Sequence, residues 1–440
     1  MDKKYVVISA PVATRSGYGA RSRDFIRALI EAKPEWDIHI LPQRWGSTPM
    51  DALVENVDSD LINRLILTGN LPKKPDVWFQ ITVPNEFQAV GYYNIGVTAG
   101  VETSIMPPEC IEGINRMDQI IVSSEFTKTV IEQTNFDKKD KNSGKIVGNL
   151  KSSTKIDVLF EGINTDIYDN KSDSEPRVND ALSTVSEDFA FLFVGHWLKG
   201  DFREDRKNVG GLIWTFLETF KNKKNRPALI LKTNSGGTSL VDRVAIEKKI
   251  KIIKESIDAR TLPNIYLIHS DLTDSEMNAL YNHNKVKAHV SFTRGEGFGR
   301  PLLEATISGK PIIVSQWSGP VDFLHPEYVT FVKGTFDKVH SSAVDNFILK
   351  DSEWFTIDYS EAGGYMRDVV KNYDKYLALS RKHRKFTKDN FTYTHMVGVI
   401  SQLIPNEVGD NVPKNVPLQL PKLKKTETPK IQLPKLKKIK

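Results

Sequence analysis

Two glutamates stand eight positions apart in the segment TRGEGFGRPLLEATISGKP, residues 293–311. Glu296 lies inside a turn with Gly295, Gly297 and Gly299, and Glu304 lies in the element that follows. Glycines let backbone N–H groups approach a ligand, and a helix start favours an anion. A carboxylate in the same place does complementary work, because it accepts hydrogen bonds from hydroxyls. One carboxylate can take the two hydroxyls of a ribose, and a second can hold the hydroxyls of a sugar that is being moved. Pro301 suits a first helical position, Gly309 suits the left-handed position after a helix end, and Pro311 lies beyond it. The spacing therefore predicts a helix from 301 to 308 with Glu304 in its first turn. The alternative is a plain turn followed by a carboxylate that only complements the helix dipole.

The elements around this segment must place it at a ligand site. AHVSFT, just before it, reads as a strand, so the turn falls at a strand's carboxyl end, where open α/β sheets bind ligands. KYVVISA, DIHILP, DVWFQITV, YNIGVTAG and QIIVSS are apolar runs suited to strands buried on both faces, with helices such as RDFIRALIEA and SEFTKTVIEQT between them. IDVLFEGI is a sixth short strand. NFDKKDKNSGKIVGNLKSSTK reads as an exposed loop, and NKSDSEPRVNDALSTVSED as a linker. The alternation then restarts with FAFLFVG and runs through PALILKTN, NIYLIHS, AHVSFT and PIIVS. Two successive units of this kind predict an α/β chain of two Rossmann-like domains facing one cleft. The expected divisions are 1–165, a linker over 166–185, a second domain over 186–358, helices over 359–404 that partly return to the first domain, and a disordered lysine-rich tail over 405–440.

GEGFGRPLLEA resembles the E-x7-E segment of retaining GT-B glycosyltransferases, which use nucleotide-diphosphate sugars. The resemblance extends over most of residues 1–335: VLFEGINTDIY is similar to the family's interdomain strand and loop, and IIVSSEFTKTVI to a late segment of its first domain. VPNEF, GVTAGVET and DRKN resemble a bacteriophage-encoded branch. The resemblance implies that Glu304 binds the donor ribose and that Glu296 lies by the donor sugar. It also implies that the backbone of Gly297, Phe298 and Gly299 contacts sugar and phosphate, and that configuration at the anomeric carbon is retained.

A departing diphosphate needs positive charge. Family members offer an arginine just after the second domain's first strand and a lysine a few residues on. Here His196 holds the arginine's position and several residues are inserted. Lys207 matches the lysine, Arg206 beside it can replace the arginine, and Lys232 at the end of ALILK is a further cation. Gly17 and Gly19 in SGYGARS resemble the glycine loop of the first domain and would admit donor phosphate or acceptor; a tight turn is the other reading. Glu102 ends a predicted strand and could orient the acceptor hydroxyl or accept its proton. Asn85, Glu86 and Asp322 follow other strands, each as a site residue or an ordinary cap.

Composition bounds the remaining choices. A single cysteine, Cys110, allows no intrachain disulfide and no cysteine-rich metal site, so a reducing compartment is expected. Neither HExxH nor CxxC occurs, and the DSD at 58–60 precedes a predicted helix, so neither a metal nor any cofactor beyond the donor is expected. No stretch approaches the roughly 18 apolar residues of a membrane span, and the start of the chain lacks a signal peptide's apolar core. The expected location is cytoplasmic, in the host for a phage-encoded chain. Residues 411–440 hold nine lysines and one glutamate, or +8 of the chain's net +6, which leaves −2 for the rest. LQLPKLKK at 418–425 recurs as IQLPKLKK at 431–438. Such a tail could contact a polyanion. The acceptor readings are a hydroxymethylated DNA base or a glycan, and a non-catalytic sugar-nucleotide binder is the alternative outside enzymes.

Overall fold

The computed structural model describes residues 3–46, 48–139, 143–171 and 175–410. The first apolar run forms β1 (Tyr5–Ala10), every residue of it buried. α1 (Gly17–Ala32), β2 (Asp37–Pro42), α2 (Ser59–Ile62), β3 (Val77–Ile81), β4 (Tyr93–Thr98), α3 (Pro108–Ile114), β5 (Gln119–Val122) and α4 (Glu125–Gln133) follow. A hairpin of β6 (Asn135–Lys139) and β7 (Ile146–Lys151) then leads to β8 (Lys155–Val158). The sheet runs β2-β1-β3-β4-β5-β8 with every pairing parallel. Parallel strands need crossover helices on both faces, which explains their continuous hydrophobicity. α1 supplies Phe25, Ile26 and Leu29 to one face, and α3 and α4 supply Cys110, Ile111, Val130 and Ile131 to the other.

The second domain begins with α5 (Pro176–Ser183) and winds through β9 (Ala190–Val194), α6 (Val209–Phe220), β10 (Ala228–Lys232), α7 (Leu240–Glu255), β11 (Ile265–Ile268), α8 (Asp274–Asn282), β12 (Val286–Ser291), α9 (Arg300–Ser308), β13 (Ile312–Ser315) and β14 (Thr330–Val332). Its strand order is β11-β10-β9-β12-β13-β14, again all parallel. An antiparallel pair, β15 (Gly334–Lys338) and β16 (Glu353–Ile357), precedes α10 (Tyr359–Lys371), α11 (Tyr373–Asn390) and α12 (Tyr393–Leu403).

α12 crosses back to the first domain. Ile163, leaving that domain, and Thr392, returning to it, lie side by side as a parallel bridge. Met396, Ile400 and Ile404 then join the first core under α1. Each such aliphatic burial contributes roughly 1.5–3 kcal/mol.

Several expectations are corrected. The exposed loop is a hairpin, β6–β7; its polar, Lys-rich strands hide it because only Phe136 and Leu150 face the core. The linker contains α5, which starts at Pro176 and buries Val178 and Leu182 against the second sheet. α1 begins at Gly17, so the glycine loop is its first turn; the Ser16 side chain caps it by accepting from the Gly19 N–H at 3.0 Å. α9 begins at Arg300, with Gly299 as its cap, so Glu304 stands in the second turn. Residues 405–410 belong to the fold: Val408 packs in the first core, and Lys4 Nζ donates to the Val408 carbonyl at 2.6 Å and pairs with Asp410 at 2.8 Å. The lysine-rich repeat at 411–440 lies outside the described residues.

Candidate active site

In the second sheet β9 starts the winding, which proceeds to β10 and β11 on one side and then jumps to β12 on the other. The switch point lies between β9 and β12, where the loops leaving two neighbouring strands diverge and open a crevice. One of these loops carries Arg206 and Lys207, and the other carries Glu296. They are joined directly, since the Arg294 N–H donates to the Arg206 carbonyl at 2.8 Å.

Glu296 sits between both cations. Lys207 Nζ donates to its Oε1, and Arg206 Nη1 lies 3.5 Å from Oε2. Arg206 also reaches Glu102 Oε1 of the first domain at 3.1 Å. The result is two cations and two carboxylates spanning the domains. The Lys207, Arg206 and Glu296 side chains are 11–12% exposed, against 36% for Glu102. Burial pushes the Glu296 carboxyl up, but Lys207 and then Arg206 outweigh it and hold the group below the usual carboxylate range. Glu102 goes the other way: burial raises it, with Arg206 only partly opposing. Burial lowers Lys207 against the pull of Glu296. The cluster thus pairs two cations with two carboxylates.

The glycines are shaped by the opposite domain. A Cβ on Gly295 would lie 1.9 Å from the Glu102 carbonyl oxygen, and one on Gly297 would lie 2.0 Å from that of Ala99. The Gly297 carbonyl accepts from Ser124 Oγ at 2.5 Å, at the start of α4. The Phe298 ring is buried against Phe323, 4.8 Å between centroids, so only its backbone faces the crevice. Gly299 has φ +98°, a left-handed cap that disfavours a side chain.

Glu304 is buried with both oxygens engaged: Tyr281 donates its hydroxyl to Oε2 and Arg300 Nε donates to Oε1, each at 2.9 Å. Burial raises its carboxyl despite Arg300. Lys232, at the crevice end of β10, is lowered by burial and within electrostatic reach of Glu304. His196 Nδ1 meets Asn234 Oδ1 at 2.6 Å, and burial lowers its ring further from protonation.

In the first domain Gly17 faces open space at the start of α1. Gly19 is committed elsewhere: its N–H serves the Ser16 cap, and a Cβ would fall 2.1 Å from the Thr14 carbonyl oxygen. Asn85 and Glu86 are held locally, by Arg116 and Thr82. Asp322 caps a helix of the other domain, accepting from the Glu125 N–H of α4 at 2.7 Å; burial pushes it up to about 6. Asp58 and Asp60 are ion-paired with Arg27. Among the described residues no group of His, Cys, Asp and Glu could hold a metal ion.

The family model "Glycosyl transferases group 1" matches residues 246–352, which include both Glu296 and Glu304. Sucrose-phosphate synthase from Thermosynechococcus elongatus superposes with a TM-score of 0.60 at 12% identity, covering 90% of this chain and 97% of that one. Anabaena HepE in complex with UDP and glucose superposes with a TM-score of 0.55 at 11% identity, covering 90% and 98%. The fold is GT-B. In sequence, the "Vi polysaccharide biosynthesis protein VipC/TviE" of Salmonella typhi is 25% identical over 123 residues, 28% of this chain and 18% of that protein.

Within the GT-B crevice, sequence reasoning passed over an aromatic pair. Tyr18, in α1's first turn, stacks on Trp45 with centroids 4.1 Å apart. Its hydroxyl meets Thr98 Oγ1 at 2.9 Å and accepts from the Ala99 N–H at 3.1 Å, on the strand end that leads to Glu102. Burial pushes that hydroxyl up to about 12. Tyr18 lies inside SGYG, whose glycines drew the attention. Arg300 was also missed, although it stands four residues before Glu304, the helical spacing for an ion pair. A cavity of about 540 Å³ lined by Tyr5, Asp37, His39 and Lys73 opens at the strand starts of the first sheet, away from these loops.

Proposed function

We propose that the protein moves a sugar from a nucleotide-diphosphate sugar to an acceptor hydroxyl with retention of configuration. The observation that carries this reading is Glu296 held by Lys207 and Arg206 at the switch point, opposite Glu102. Lys207 and Arg206 take the diphosphate and stabilise its charge as it departs. Glu296 then holds hydroxyls of the donor sugar, Glu304 holds the ribose, and the backbone of 297–299 lines the sugar and phosphate. Gly17, at the free start of α1, lies by the phosphate or the acceptor. The acceptor oxygen bonds the anomeric carbon on the face from which the diphosphate leaves. The carbon–oxygen bond to the diphosphate breaks with its electron pair, and the acceptor proton passes to the departing phosphate oxygen. Glu102 orients that hydroxyl.

A hydroxymethylated DNA base is the acceptor we favour, because the +8 of residues 411–440 gives a body of −2 a local affinity for a polyanion. The partial likeness to a polysaccharide biosynthesis protein favours a glycan as second reading. Mass analysis of nucleosides from DNA made with and without the protein separates the two: a hexose or pentose adduct on a base is expected, and unmodified nucleosides would remove DNA as acceptor. Deleting 411–440 should raise KM for long DNA at low salt, with the loss shrinking at high salt, and spare turnover of a small acceptor.

A further inference from the structure

Arg300 joins the two domains through one guanidinium. Its Nε donates to Glu304 Oε1 at 2.9 Å, and its Nη1 donates to Asp24 Oδ2, on α1 of the first domain, at 2.5 Å. Glu161, on the crossing segment between the domains, lies 3.8 Å from the same nitrogen. The Arg300 side chain is 18% exposed and that of Glu304 8%. A planar guanidinium with fixed donor directions cannot turn toward one carboxylate without moving relative to the other. Asp24 lies two helical turns along α1 from Gly17, so the helix that opens onto the crevice at its start grips the second domain along its side.

We infer that Asp24 and Arg300 are positioning residues that couple recognition of the donor ribose to closure of the two domains. This rests on the donor reading of Glu304 given above. Tyr281, Arg300 and Tyr168 all hydrogen-bond the Glu304 carboxylate, and the lone pairs they leave are what a ribose hydroxyl can use. The direction in which those lone pairs point is fixed by Arg300, and Arg300 is fixed by Asp24. Opening the domains removes Asp24, frees the guanidinium to cover both oxygens of Glu304, and withdraws them from the ribose. The ribose site is thus complete only when α1 is in place, and a nucleotide that uses it favours the closed form.

Calorimetric titration of the full-length protein with UDP, ADP, GDP and CDP, and with the 2′-deoxy form of the tightest of them, tests this. Wild type should prefer the ribonucleotide by roughly tenfold, the scale of a hydrogen bond to a charged group. Asp24→Ala, which touches no proposed donor atom and leaves no acceptor for Arg300, should reduce that preference to within about twofold, with affinity for the deoxy form unchanged. Arg300→Lys keeps the charge but cannot bridge both carboxylates, and should do the same. The double variant should lose no more than either single one. A full ribose preference in Asp24→Ala would overturn the coupling, while its loss in Glu304→Gln alone would leave the donor reading standing. If no nucleoside diphosphate binds wild type, the donor reading falls and the coupling with it. Should Arg300→Lys fail to fold, Asp24→Ala decides alone.

Discussion

The two sheets are both doubly wound, but their loops line the crevice with different chemistry. In the second sheet, the loops after β9 and β12 bring charged side chains together: Arg206, Lys207 and Glu296. In the first, the loops after β1, β2 and β4 contribute mostly backbone and aromatic surface, with Gly17 at an open helix start and Tyr18 stacked on Trp45. Glu102 is the carboxylate that the first domain sends to this cluster, and it pairs with Arg206 of the second. The contrast fits the division of labour proposed above. A charged switch point suits a diphosphate, whose departure must be stabilised, while a helix start beside an aromatic face suits the group that receives the sugar.

The sharpest way to break this contrast is to remove the charge on one side. Glu296→Gln keeps the shape of the cluster and should lower kcat by about a hundredfold, while KM for the donor changes within about threefold. Steady-state kinetics on a small acceptor checks this, and an unchanged kcat would place the sugar elsewhere. A smaller effect is expected from the other side. Trp45→Ala should raise KM for the acceptor by roughly tenfold, the scale of one lost stacking contact, and leave donor hydrolysis unchanged. An effect on donor hydrolysis instead would mean that the aromatic pair serves the donor.

The part of this arrangement readable in the sequence was the charged part. GEGFGRPLLEA has a spacing that only a strand–turn–helix gives meaning to, and Lys207 before an apolar helix points to the same crevice. The buried strands were readable because both faces are covered and nothing interrupts the apolar run. Hairpin β6–β7 and helix α5 were not, since each buries only two or three side chains within otherwise polar stretches. Pairings between domains were beyond reach for another reason. Glu102 with Arg206, Asp24 with Arg300 and Asp322 with α4 are separated by a hundred residues or more, and no local pattern encodes them.

The smallest predicted effect concerns that last pairing. Asp322 sits at about 6 in the fold against an ordinary 3.8. The folded form therefore holds its proton more tightly than the unfolded chain, and stability falls as pH rises from about 4 to about 6. Asp322→Asn keeps an oxygen to accept from Glu125 and removes the titration. Its Tm should vary less with pH across that window than the wild-type Tm, as differential scanning calorimetry would show. Parallel curves would mean that the carboxylate titrates normally.

The central claim is that Lys207, Arg206 and Glu296 form the site where a nucleotide sugar is cleaved. Its most direct test is release of nucleoside diphosphate from a panel of UDP-, GDP-, ADP- and CDP-sugars by purified wild type and Lys207→Ala. At least one sugar nucleotide should be turned over by wild type, and the variant should lose on the order of a hundredfold in kcat, the effect of removing one group that stabilises a developing charge. Equal rates in the two proteins, or no release from any member of the panel, would contradict it.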